Sequence, residues 1–297
     1  MPLNAIIMNV RRHARHVDPN AYVVQRLKRL PSIEAKLRRQ PTMALDQMQD
    51  LGGCRAVVDS IADVDALVRR LRHSRQRHEL VDKGFQDYIA RPAASGYRSV
   101  HLPFSYQSVK SPHWNGRVIE VQVRTRSQHA WATAVETVGF FTSQELKAGV
   151  GQPEWLRFFA LASSVLARRE QRPVTPGTPD LYSQLVFEAR ELAVKLAVRD
   201  RLEAYRASLQ VTGRDTAAKY FVLALSPLEG VLTMYSYTDA ESASTAFALL
   251  EVQAKSGQDV VMVGAENAAT LRKAYPNYFG DTSLFVELLD DAGVWGD

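Results

Sequence analysis

The sequence predicts an α/β (α+β) fold: a mixed central sheet flanked by helices, with a small C-terminal α/β domain appended. Three observations predict it. Short apolar runs of strand character alternate with longer stretches of helical periodicity. In Val118–Arg124, Ile119, Val121 and Val123 alternate with Val118, Glu120, Gln122 and Arg124, giving one apolar face and one polar, charged face. The charge also changes sign along the chain. Residues 1–214 hold 33 basic and 20 acidic side chains, and residues 215–297 hold 4 and 12. The expected division is therefore 1–210 and 215–297.

Residues 1–40 read as helical and basic, with Arg11, Arg12 and Arg15 ahead of a break at Asp18-Pro19. Tyr22, Val23, Val24 and Leu27 suggest a second helical stretch. Pro31-Ser32 reads as a further helix start with Ser32 as N-cap. Gly53–Asp59 is a buried strand. Ala62–Arg72 is an amphipathic helix, with Val64, Leu67, Val68 and Leu71 at helical spacing. A short strand at Glu79–Asp82 and a loop over 83–96 lead to strands at Tyr97–Gln107 and Arg117–Arg124. Helices are expected at Ser127–Val138 and Pro153–Glu170, a proline-rich turn at Gln171–Pro179, and a long helical pattern over Pro179–Gln210. In the tail, Lys219–Ser226 and Val231–Tyr237 read as paired strands. Ala240–Lys255 is helical, Asp259–Gly264 is a strand, and Ala268–Tyr275 and Thr282–Leu289 are helical.

Of the 297 residues, 46% are hydrophobic and 23% charged, which excludes a disordered, collagen-like or disulfide-miniature chain. There is no apolar run of about 18 residues, so no membrane span is expected. Cys54 is the single cysteine and can form no internal disulfide. Without a secretory signal at the start, a cytoplasmic address is the expectation. The basic body calls for a phosphate-rich ligand. There is no G-x-x-x-x-G-K-[ST], G-x-G-x-x-G or H-E-x-x-H motif.

Three segments carry candidate chemistry. Arg26-x-Lys28-x-x-x-Ser32-x-x-x-Lys36 would gather a hydroxyl, two ammonium groups and backbone N–H groups at a helix N-terminus, a place that favours anions. On its own, it reads first as a solvated basic helix. Asp50-Leu-Gly-Gly-Cys-Arg55 lies at the mouth of a strand, where an acid is often only a turn residue. Glu120-x-Gln122-x-Arg124-Thr125 puts a carboxylate, an amide and a guanidinium on one face of a strand. Gly96-Tyr97-Arg98-Ser99-x-His101 lies between them.

Together these segments resemble the synthetase domain of the RelA/SpoT family over residues 20–170. The patterns are R-x-K-x-x-x-S-x-x-x-K, D-L-x-x-x-R, D-Y-I-x-x-P-x-x-x-G-Y-R-S-x-H and E-x-Q-x-R-T, followed by Gln128-His-Ala-Trp131 and Glu136. The resemblance implies a nucleotidyltransferase-like fold and an enzyme that transfers the β,γ-pyrophosphate of ATP to a ribose 3′-hydroxyl. With GDP or GTP as acceptor the products are the alarmones ppGpp and pppGpp. It places Arg26 and Arg55 on either side of adenine and gives the ATP phosphates to Lys28, Ser32 and Lys36. Asp50 and Glu120 would bind Mg²⁺, with Glu120 also taking the hydroxyl proton. Tyr97, Arg98, His101, Gln122 and Arg124 would serve the acceptor. Pro92 is followed by Ala93 where many members have lysine, so one phosphate contact is expected to be absent.

The resemblance also leaves other functions open. Some small toxic members pyrophosphorylate the 3′ end of tRNA, and the basic cluster Arg11, Arg12, Arg15, Arg29, Arg38 and Arg39 suits an RNA backbone. A catalytically silent nucleotide-binding regulator is a third reading. No hydrolase domain precedes the synthetase, so synthesis without degradation is expected. The acidic tail suggests a module that restrains the active site or binds a regulatory protein. In the manner of fused toxin–antitoxin members, Tyr275-Pro-Asn-Tyr278 would offer a ring to the adenine pocket. Two core aromatics beside a turn are the plainer reading of the same residues.

Overall fold

The structure is a computed structural model. It describes residues 2–27, 33–34, 37–38, 40–45, 48, 51–73, 78–212, 218–226, 229–254, 258–264 and 268–296. Helix α1 (Pro2–Val17) has no acid in its first turn, ends in Arg15 and His16, and buries Ile6, Ile7, Val10 and Ala14. Its end is set by Asp18, whose carboxylate accepts from the N–H of Asn20 at 2.7 Å and of Asp59 at 3.1 Å. Strand β1 follows (Tyr22–Leu27), then β2 (Gly52–Val58), α2 (Ile61–His73), β3 (Glu79–Leu80), β4 (Gln86–Asp87), β5 (Val100–Ser105) and β6 (Val118–Thr125). Four helices come next: α3 (Arg126–Thr142), α4 (Pro153–Arg169), α5 (Tyr182–Lys195) and α6 (Val198–Ser208). The rest is β7 (Gln210–Thr212), β8 (Tyr220–Ser226), β9 (Val231–Tyr237), α7 (Ala240–Gln253), β10 (Asp259–Gly264), α8 (Ala268–Ala274) and α9 (Ser283–Asp290). None of the described helices is long and apolar enough to cross a membrane.

Two elements depart from the sequence reading. Tyr22–Leu27 is a strand, not a helix, because it is hydrogen-bonded on both sides within the sheet and its Tyr and β-branched valines suit a pleated surface. The long helical pattern beyond Pro179 splits at Ala197, whose φ of 48° interrupts the helical course between α5 and α6.

The described strands form one sheet in the order β3-β5-β6-β2-β1-β10-β8-β9-β7, with β4 pairing β5. β2 and β6 are parallel, as are β7 and β9, and the other neighbours are antiparallel. β1 lies between β2, where Arg26 faces Gly53, and β10, where Arg26 faces Val263. The strands of the acidic tail thus continue the sheet of the basic body.

Three principal layers of packing hold this sheet. On one face α1 and α2 press Ile6, Val10, Val64 and Leu67 against Val23, Ala56, Val121 and Val123. Helices α3, α4, α5, α6 and α9 share a second core around Trp131, Trp155, Phe158, Leu185 and Phe285. The third core joins Val24 of β1 to Phe221, Leu223, Val261, Leu271, Tyr275 and Tyr278. Each buried side chain of this size contributes about 1.5–3 kcal/mol. Where the tail meets the body at α9, Arg169–Asp291 and Arg199–Asp290 are ion pairs 3.8 Å apart, exposed and therefore weak.

Candidate active site

Strand periodicity builds the floor of the site. Glu120, Gln122 and Arg124 share one face of β6, while Ile119, Val121 and Val123 are buried on the other. Register sets His101 of β5 opposite Gln122, and Arg55 of β2 opposite Gln122 on the other side. The Glu120 carboxylate accepts from His101 Nδ1 at 2.9 Å and from Gln122 Nε2 at 2.7 Å. A carboxylate only accepts, so His101 carries its proton on Nδ1. Its Nε2 is then the acceptor for the Tyr97 hydroxyl at 2.9 Å. The result is a hydrogen-bonded chain from Tyr97 through His101 to Glu120.

Tyr97 is held by its surroundings. Gly96 precedes it at φ 90°, a conformation that L residues rarely adopt, and a Cβ there would lie 2.8 Å from the Ser163 Cβ. Tyr88 packs edge-on against both Tyr97 and His101, with centroids 5.7 and 5.2 Å away. Lys147 sits 5.4 Å from the Tyr97 ring centroid and bonds Glu136 Oε1 at 2.5 Å. Burial raises the Tyr97 phenol above its ordinary pKa.

Arg55 and Arg124 supply positive charge to the same face. Both are buried, Arg124 at 1% exposure. Burial, and then the charge of Arg55, push Arg124 down to about 9. Among the described residues, Arg124 Nε and Nη1 and Arg55 Nε have no hydrogen-bond partner. Arg124 Nη2 bonds His129 Nδ1 at short range. The end of β6 is fixed by a capping box, with Gln128 N–H on the Thr125 hydroxyl at 3.1 Å and Gln128 Oε1 accepting from the Thr125 N–H at 3.2 Å. Glu170 closes the corner, accepting from Thr125 Oγ1 at 2.6 Å and Gln128 Nε2 at 2.9 Å.

Of the residues expected at the site, Glu120, Gln122, Arg124, Arg55, Tyr97 and His101 are brought together. Arg98 is not brought to this face. It is 3% exposed and donates to Ser163 Oγ at 2.9 Å and Thr175 Oγ1 at 3.4 Å. It ties the segment ahead of β5 to α4. Tyr275 and Tyr278 lie in the third core, 4% and 5% exposed, where the Tyr278 hydroxyl donates to Asp259 at 2.7 Å. Neither ring is presented to an open pocket. Lys28, Ser32, Lys36, Asp50 and the side chain of Arg26 lie outside the described residues. Tyr88, Lys147 and His129 were not singled out from sequence. Tyr88 and His129 lie within the D-Y-I and Gln128-His-Ala-Trp131 motifs, whereas nothing local marks Lys147.

Residues 25–140 match the family described as a region found in RelA / SpoT proteins. This segment is similar to the RelA/SpoT region. Its G-Y-R-S-x-H and E-x-Q-x-R-T motifs supply Tyr97, His101, Glu120, Gln122 and Arg124 of the polar floor described above. Over 125 residues the chain is 32% identical to the GTP pyrophosphokinase YjbM of Bacillus subtilis, covering 41% of this chain and 58% of that protein. It is 33% identical over 109 residues to a GTP pyrophosphokinase of Escherichia coli, covering 37% of this chain and 13% of that protein. The chain thus spans little more than half of YjbM and far less of the long relative. The solved small alarmone synthetase 1 of Bacillus subtilis bound to its product pppGpp is 25% identical, with a TM-score of 0.47, over 58% of this chain and 90% of that one. The RelA/SpoT region ends within α3. The tail strands β8, β9 and β10 lie outside it.

Proposed function

We propose that this chain is an ATP-dependent nucleotide pyrophosphokinase acting on the ribose 3′-hydroxyl of GDP or GTP. The observation that carries this reading is the Glu120 carboxylate, oriented by His101 and Gln122 beside the Tyr97 ring, inside a RelA/SpoT region. The acceptor 3′-oxygen attacks the β-phosphorus of ATP, and the bond from that phosphorus to the oxygen bridging to the α-phosphorus breaks. AMP leaves with the bridging oxygen. Glu120 takes the hydroxyl proton, and the Nδ1–H of His101 holds the carboxylate in line. The guanidinium groups of Arg55 and Arg124 meet anionic or planar groups of the nucleotides with donors that no described protein group uses.

Magnesium fits the reading as a hard cation for oxygen donors. Glu120 is a half-buried carboxylate of the right chemistry, and Asp50 lies outside the described residues. Among the described residues no group of three ligand-type side chains converges. When bound, the ion would neutralise charge on the transferred pyrophosphate.

The test is the purified chain with γ-labelled ATP and, in separate reactions, GDP, GTP, ATP and tRNA. Transfer to GDP or GTP supports the proposal. Transfer to tRNA alone favours the toxic type of synthetase, and transfer to none of them favours a silent nucleotide-binding regulator.

A further inference from the structure

His129 stands between the two halves of the chain. It lies in the first turns of α3 and is 5% exposed. Its Nδ1 meets Arg124 Nη2, and its Nε2 meets the backbone carbonyl of Lys273 at 3.3 Å. A guanidinium only donates and a carbonyl only accepts, so both bonds are made by one species: neutral His129 with its proton on Nε2. Lys273 lies in the last turn of α8, where carbonyls have no partner within the helix and carry the negative end of its dipole. A continuous line of bonds therefore runs from the C-terminal helix α8, through the imidazole, to a buried arginine on the site floor.

That arginine is incompletely satisfied. Among the described residues, Nε and Nη1 of Arg124 are buried without partners, as is Nε of Arg55, and a buried unpaired donor is costly. An entering anion removes the cost by accepting from these nitrogens. Its affinity then depends on where the guanidinium plane is held, and His129 is the side chain that bonds it.

We propose that His129 is a positioning residue that aims Arg124 at an anionic phosphate of the bound nucleotide and makes this aim depend on the seating of α8. The inference rests on the pyrophosphokinase reading for the identity of the ligand. It does not rest on turnover, because binding alone tests it. Linkage also makes it reciprocal: if the seating of α8 favours nucleotide, nucleotide favours the seating of α8.

Two substitutions separate the two bonds. His129→Asn keeps an acceptor at the Nδ1 position and loses the reach to Lys273. His129→Gln keeps a donor at the Nε2 position and loses the acceptor for Arg124. Equilibrium binding of GTP and of a non-hydrolysable ATP analogue would be measured on the full-length protein, with thermal midpoints as the control for folding. The Gln variant should bind one of these nucleotides about tenfold or more weaker, and the Asn variant, which loses only the support of α8, about threefold weaker. Hydrogen exchange at residues 268–274 should slow when nucleotide binds the parent, and should not respond in the Asn variant. Equal weakening by both substitutions, or by neither, overturns the positioning role. Exchange that responds equally in parent and Asn variant overturns the coupling. A chain that binds nucleotide as expected but transfers no pyrophosphate would refute the proposed activity and leave this inference standing.

Discussion

Tyr275 donates its hydroxyl proton to the backbone carbonyl of Gln25 at 2.7 Å, joining positions 250 residues apart. The bond fastens the segment after α8 to the strand that carries Arg26. Tyr275→Phe keeps the ring and leaves a buried carbonyl without this donor, so stability should fall by about 1 kcal/mol. Chemical denaturation of the full chain checks it, and an unchanged midpoint would count against the bond.

The same seam governs truncation. Ending the chain at residue 214 would strip β10 from β1 and expose Val24, which the tail otherwise buries. The expected outcome is loss of cooperative unfolding or insolubility. The sequence alone suggested a removable restraint whose deletion raises activity. A soluble, cooperatively folded and more active fragment would support that restraint and argue against a structural tail.

Glu120→Gln should lower pyrophosphate transfer by about a thousandfold, roughly 4 kcal/mol of barrier, with little effect on folding. His101→Phe should cost less, about ten- to a hundredfold, because it disorients the carboxylate without removing it. Initial rates with labelled ATP check both. Wild-type rates in the Glu120 variant would exclude it as the base.

Acid should destabilise the protein through two buried imidazoles. Burial lowers the pKa of His129 well below its ordinary value, with Arg124 and Arg55 adding to the shift. Burial, and then Arg12 and Arg70, lower that of His13. In each case the unfolded chain binds a proton near pH 6.5 that the folded chain refuses. Stability is therefore full above pH 6.5 and declines as the pH falls from there toward the lowered folded values, by on the order of 1 kcal/mol per pH unit for the buried His129 and by less for the more solvent-screened His13. His129→Asn should flatten the slope between pH 6.5 and 5 in denaturation midpoints. An unaltered slope would rule out His129 as a contributor.

Gly96→Ala should destabilise by about 2 kcal/mol and weaken acceptor binding, since a Cβ at φ 90° would press on Ser163 and displace Tyr97. Thermal unfolding and KM for the acceptor measure the two effects.

Much of the site floor was legible because its residues lie on one strand. Period two alone puts Glu120, Gln122 and Arg124 on a common face. Arg98 stands in one motif with Tyr97 and His101, yet its partners Ser163 and Thr175 are 65 and 77 residues away in sequence, so no local signal announces its place. β1 was hidden for a different reason. Tyr22, Val23, Val24 and Leu27 satisfy a helical spacing, and its partner β10 lies more than two hundred residues away. The contacts of Lys147 with Tyr97 and of His129 with Lys273 are long-range as well, so no local signal announces them.

The place of β1 has a consequence for how the molecule is made. Its two neighbours are synthesised far apart in time: β2 almost at once, and β10 only after residues 259–264 have left the ribosome. A nascent chain can collapse around α1 and α2 early, yet the middle of its sheet keeps an open edge until β10 has been made. A chain released before β10 is made is thus a polypeptide with the polar strand of its candidate site already written and its frame still incomplete.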